Sequence, residues 1–129
     1  AGTILDFGSC APMGAFVRLF EQFGITLSIA QARGPMGMAK WDHIKALGTL
    51  PGVAAQWQAR YGKPFVDADV DALYEVFTPM NAAVVADFAD FIPGAIDVVN
   101  TLRAQGLKIG STTGYNREIM SVLAPLCAM

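Results

Sequence analysis

Residues 107–112, Leu-Lys-Ile-Gly-Ser-Thr, read as a short β-strand, and they constrain the chain more than any other stretch. A strand on its own leaves its backbone N–H and C=O groups unpaired, so one strand cannot make a sheet. Before it, Pro93 stands at a helix start, Ile96, Val99 and Leu102 repeat at helical spacing, and Gly106 ends the run. After it, a Gly-containing turn leads into another helix. Helix, strand, turn, helix is half of a parallel α/β unit. Either the partner strands come from outside these 129 residues, or residues 107–112 are not a strand.

Residues 11 to about 88 read differently, as helices joined by short connections. Phe16, Leu19, Phe20 and Phe23 share one helical face, and Gly24 stops that run. Ser28, with Gln31 three positions on, is a capping-box start for a short helix that Gly34 and Pro35 end. A helix follows from about Met38 to Leu47, with Met38, Trp41, Ile44 and Leu47 towards one side. Another begins at Pro51 and closes at Gly62. Asp67 is placed to cap a further helix carrying Val70, Leu73 and Phe77, in which Pro79 is expected to kink or interrupt the run. The first residues, "AGTILDFGS", lack helical periodicity and read as a loop.

Only 16% of the residues are charged, against roughly 25% in an ordinary soluble domain, while 53% are apolar. That balance suits a chain rich in helix interfaces, or part of something larger. A formal net charge of −2 gives no broad attraction to nucleic acid or to an anionic membrane surface. Uncharged stretches such as residues 46–59 are short and broken by Gly and Pro, so no membrane segment is expected. The start of the chain has no basic, signal-like region. Cys10 and Cys127 have neither metal-ligand spacing nor a disulfide framework, which points to a reducing, cytoplasmic setting.

Three stretches could carry chemistry. In "GPMGMAKWDHIKAL", Lys40 and His43 lie at i and i+3, on roughly the same side of a helix. Spacing alone favours two solvated residues on an amphipathic helix. The alternative is a reactive amine: a neutral lysine condenses with an aldehyde or ketone to an imine, and apolar surroundings such as Met36, Met38 and Trp41 would favour the neutral form. In "GSTTGYN", hydroxyls ahead of a helix start make either a phosphate cradle or an ordinary N-cap, and no Walker A pattern accompanies them. "AGT" at the start, with Asp6, is too short to decide anything alone. Asp67, Asp69, Asp71, Asp87 and Asp90 lack calcium-loop spacing and read as caps and solvated faces.

Taken together, "AGTILDFGS", "ARGPMGMAKWDHIKAL" and "IPGAIDVVNTLRAQGLKIGSTTGY" closely resemble the phosphonatase family of the haloacid dehalogenase superfamily, along essentially the whole chain. The resemblance implies an α/β fold: a partial Rossmann-like core with an inserted all-helical cap. Residues 1–10 would be a core loop, 11–88 the cap and 89–129 part of the core. It implies hydrolysis of the carbon–phosphorus bond of phosphonoacetaldehyde to acetaldehyde and phosphate, through a lysine imine and an aspartyl-phosphate. On that pattern Lys40 forms the imine, with His43 and Met36 managing protons beside it. Thr113 would bind the transferring phosphoryl group, Gly114 and Tyr115 would complete its turn, and Gly2 and Thr3 would shape the first loop. Ala1 would offer its backbone carbonyl to Mg2+. The family's nucleophilic aspartate precedes that alanine by two residues, so the chain looks truncated at both ends and inactive alone. The family dimerises through its cap, so a homodimer acting on a small-molecule phosphonate is implied, with no nucleic-acid or membrane partner. A related phosphatase without imine chemistry, or a non-catalytic helical interaction module, are the alternatives.

Overall fold

In the computed structural model, which describes residues 1–127, the apolar period of the first helical run becomes α1, Cys10–Gln22. Phe16, Leu19 and Phe20 are completely buried, Phe23 partly so, and Gly24 turns the chain away at φ 76°. The start of α1 is capped from a distance. Asp6, in left-handed backbone at φ 57°, accepts Cys10 N–H at 2.9 Å and Ala11 N–H at 3.1 Å through its two carboxylate oxygens. Those amides would otherwise be unpartnered at the positive end of the helix dipole.

The capping box forms as its residues dictate. Ser28 Oγ accepts Gln31 N–H at 3.1 Å and Gln31 Oε1 accepts Ser28 N–H at 2.9 Å, opening α2, Ile29–Arg33. The next helices are α3, Lys40–Gly48, and α4, Pro51–Tyr61, which ends at Gly62 in left-handed conformation. The long helix α5, Asp67–Val85, is the centre of the packing, with α1, α3 and α7 (Arg117–Leu123) laid against it. Its Val70, Leu73 and Phe77 are wholly buried, matching the periodicity. Between α5 and α7 come a 3-10 turn at Ala86–Phe88 and α6, Ala95–Ala104; a second 3-10 turn, Ala124–Cys127, follows α7.

Three expectations are corrected. Pro79 does not interrupt α5: Glu75 and Pro79 both lie on the exposed side, so solvent replaces the hydrogen bond that proline cannot make. Asp67 does not cap α5. Asp69 does so, its carboxylate accepting Val66 N–H at 3.0 Å. Finally, residues 107–112 are exposed and form no strand, and the regular elements of the described residues are helical with no sheet. The reason is the one that makes a lone strand impossible: no second strand among the described residues lies beside them, and Leu107 N–H instead bonds back to Leu102 O of α6 at 3.1 Å. The only β pairing among the described residues is an isolated antiparallel bridge, Leu5 with Phe91, flanked by hydrogen bonds from Asp6 N–H to Asp90 O (3.0 Å) and from Ile92 N–H to Ile4 O (2.8 Å). Among the described residues no helix is long and apolar enough to cross a membrane.

Candidate active site

Lys40 opens α3, reached through a loop in which Gly37 turns at φ 96°. Its side chain is not solvated: the residue is only 7% exposed. Nζ lies 4.9 Å from the centre of the Tyr115 ring and 5.8 Å from that of Phe16. No carboxylate stands within ion-pair distance of it among the described residues. Burial lowers its pKa to about 8. The position in the first helical turn, at the positive end of the dipole, also disfavours an ammonium. At pH 7 roughly one amine in ten is then neutral, against about one in a few thousand for an ordinary lysine.

His43 lies one turn on and is completely buried. Its ring stacks on Phe16 at 4.0 Å, and Phe16 stacks on Phe77 at 4.6 Å. Nε2 sits 2.7 Å from the Ala32 carbonyl, so it carries the proton and donates; Nδ1 is buried without a partner. Burial pushes its pKa down to about 4, which keeps the ring neutral at pH 7. The solvated-face expectation therefore fails for both residues. Spacing put them on one side of α3, and that side packs inward against α1 and α5.

Two segments wall a cavity of about 400 Å³: Lys40, Met36 and Gly37 from one, and Thr112, Thr113, Gly114 and Tyr115 from the other. Ala1, Ser9, Pro12 and Met13 complete it. Thr113 Oγ1 accepts the Tyr115 N–H at 3.1 Å, which fixes the turn and leaves the hydroxyl proton available to a ligand. Burial holds the Tyr115 phenol well above its usual pKa, so it stays protonated, and its buried hydroxyl has no partner among the described residues. Met36, 43% exposed, sits at the rim. His43 and Gly2 do not line the cavity. Gly2 instead shapes the loop at φ 83°, where a Cβ would come within 2.6 Å of Ser9 Oγ.

Sequence reasoning did not single out Ser9, Pro12 and Met13 as lining residues, and no local signal marked them. Gly37 and Thr112 lay inside the two motifs, in the Pro-Met-Gly turn and among the hydroxyls of "GSTTGYN". Gly114 is where the two walls nearly touch, because a Cβ there would stand 2.6 Å from the Met38 carbonyl oxygen. Gly114→Ala is accordingly expected to separate the walls and to cost about 1–3 kcal/mol by overpacking. Chemical denaturation of the variant against the parent protein measures that loss.

The residues around Ala1 do not fit Mg2+ by themselves. A hard dication takes several oxygen ligands, carboxylates above all, whereas the cavity lining holds none. Among the described residues no three His, Cys, Asp or Glu side chains converge.

A partly neutral amine and a hydroxyl-bearing turn thus line one small cavity. No family model matches the chain. It is 55% identical over 125 residues to phosphonoacetaldehyde hydrolase from Paraburkholderia phytofirmans, an alignment covering 97% of this chain and 47% of that protein. It is 51% identical over 129 residues to phosphonoacetaldehyde hydrolase from Salmonella typhi, covering 99% of this chain and 48% of that one. The crystal structure of a phosphonoacetaldehyde hydrolase-like protein from Oleispira antarctica matches with a TM-score of 0.93 at 40% identity, over 95% of this chain and 45% of that one. A hydrolase from Pseudomonas syringae, at TM-score 0.75 and 17% identity, shares the fold alone. The chain is a homologue of the phosphonoacetaldehyde hydrolases and spans about half the length of the curated relatives it matches.

Proposed function

We propose that this chain supplies the imine-forming half of a phosphonoacetaldehyde hydrolase site. The observation that carries the reading is Lys40: buried, without an acidic partner among the described residues, and lining one cavity with Thr113. The neutral amine adds to the aldehyde carbon, loss of water gives an imine, and a proton taken from solvent makes its nitrogen cationic. The carbon–phosphorus bond then breaks with its electron pair moving into an enamine, which neutralises the imine nitrogen. The phosphoryl group passes to a nucleophile, in the family an aspartate. Protonation of the enamine at carbon restores the imine, and water releases acetaldehyde and Lys40.

Thr113 and the amides of its turn bind the phosphonate oxygens, with Gly114 letting the turn approach Met38. Tyr115 covers the amine and excludes water. His43, one turn from Lys40, is assigned proton management beside the amine, and its buried, neutral ring keeps the surroundings uncharged. Met36 closes the rim. Ala1 offers one carbonyl, which is not a magnesium site alone, and no step is routed through a metal.

The Rossmann-like core belongs to the same proposal. Its supports are the exposed Leu107 and Ile109, and a second hollow of about 530 Å³ lined by Ile4, Leu5, Ile109, Met120 and Leu123. The homodimer is a proposal too, with exposed Ile29 and Val66 as apolar surface for it. Two free cysteines suit a cytoplasmic setting.

Borohydride trapping with phosphonoacetaldehyde, followed by peptide mass mapping, tests the reading. A reduced adduct confined to Lys40 and absent from Lys40→Ala is expected. Adducts spread over Lys45, Lys63 and Lys108, or none at all, would overturn it and leave a phosphatase that uses the Thr113 turn without an imine.

A further inference from the structure

Asn116 holds two elements of the site with one amide. Its Oδ1 accepts Ile119 N–H at 3.0 Å and so caps α7, which fixes the amide's orientation because a backbone N–H can only donate. Nδ2 is thereby aimed the other way. It donates to the Tyr74 hydroxyl at 2.8 Å and to the Thr78 hydroxyl at 3.0 Å, on successive turns of α5. The capping half is ordinary. The donating half reaches 42 and 38 residues back along the chain and is not needed for a cap.

The position of this clamp matters for the cavity. Asn116 follows Tyr115 directly, and Tyr115 is the ring that covers the Lys40 amine. Lys40 in turn rides on α3, which packs on the same α5 that Asn116 grips. The two walls are thus referenced to one helix, one through packing and the other through this side chain. Thr78 is itself buried, so its bond is shielded from competing water.

We infer that Asn116 is a positioning residue, which sets the distance from the Thr113–Tyr115 turn to the Lys40 amine by anchoring that turn to Tyr74 and Thr78 of α5. The inference rests on the imine reading for its consequence to activity, but the geometry it describes is independent of that reading. Releasing the clamp lets Tyr115 lift and water reach Lys40. The titratable groups facing that amine are His43 on its own helix, Tyr115 on the turn and the α-amino group of Ala1, which mass mapping separates from Lys40.

Two variants separate the clamp from the cap. Asn116→Ser keeps an oxygen for Ile119 N–H and is too short to reach α5. Tyr74→Phe combined with Thr78→Val leaves Asn116 and its cap intact but removes both acceptors. The readout is the pH dependence of Lys40 acylation by a small anhydride, followed by mass spectrometry, which requires no aldehyde. In each variant the midpoint is expected to rise by about one pH unit, with a roughly tenfold loss of reactivity at pH 7. Combining all three substitutions should add nothing further. An unchanged Lys40 midpoint in either variant would overturn the inference and leave Asn116 a helix cap. Borohydride trapping run alongside on the parent protein reports separately whether the imine reading holds.

Discussion

Replacing Lys40 with methionine is expected to stabilise the fold while ending its amine chemistry. Methionine is unbranched and fills the same apolar space without a charge to desolvate. The fall of the Lys40 pKa from 10.5 to about 8 means that burial disfavours the ammonium by about 3 kcal/mol. Loss of the cation's contacts with the Tyr115 and Phe16 rings offsets part of this, so a net gain of about 1–3 kcal/mol is expected at pH 7. The pH dependence gives a second signature. Between pH 8 and 10.5 the unfolded chain binds the proton that the folded protein has released, so the parent protein gains stability as pH rises through that window. The advantage of Lys40→Met should therefore be constant below pH 8 and vanish above pH 10.5. Denaturant unfolding at pH 7 and pH 10.5 measures both. A variant less stable than the parent at pH 7 would mean that Lys40 is not held there against its own preference. On the proposed reading, the stability given up at this position keeps an amine neutral and reactive, the usual conflict between function and folding.

Acid should unfold the protein through His43. Its folded pKa is about 4, against 6.5 for the free side chain, because the ring is buried between apolar neighbours. Below pH 6.5 the unfolded chain takes up a proton that the folded protein refuses, so stability falls with pH until about pH 4. The full loss amounts to about 3 kcal/mol, a large share of a domain's typical margin. His43→Gln, with a non-titrating side chain, is expected to flatten the stability profile between pH 6.5 and 4, at the cost of poorer stacking on Phe16. Thermal melts of both proteins across that range decide it. Equal slopes would place the acid sensitivity elsewhere.

Local signals in the sequence were read well where neighbours in the chain decide the outcome. The α1 face, the Ser28 capping box, the Gly62 stop and the inward row on α5 all follow from spacing or capping chemistry within a few residues. Reading failed where distant residues decide. Pro79 is tolerated because its side of α5 faces solvent, a fact set by packing with α1, α3 and α7. Residues 107–112 carry a strand-like composition, but pairing is a property of two segments, and one segment cannot supply it.

The site divides in the same way. Lys40, Thr113, Gly114 and Tyr115 were legible as motifs, and they do line one cavity. Ser9 and Met13 join them only because α1 folds back beneath the turn, contacts separated by about a hundred positions that no window of sequence can display. Asn116 shows the boundary within one side chain. Its cap to Ile119 could be read from three residues, whereas its bonds to Tyr74 and Thr78 could not.

The bridge between Leu5 and Phe91 has an architectural consequence. Everything from Asp6 to Asp90 leaves and returns through a single pair of adjacent backbones, so its two ends are neighbours in space. A segment with that topology behaves as an oversized loop. Its ends meet at that bridge, yet it is held a second time at a distance from it, where α5 lies against α7 and Asn116 reaches Tyr74 and Thr78. The block is thus fastened at two separate places, so a rotation about the bridge alone would have to break the grip on α7.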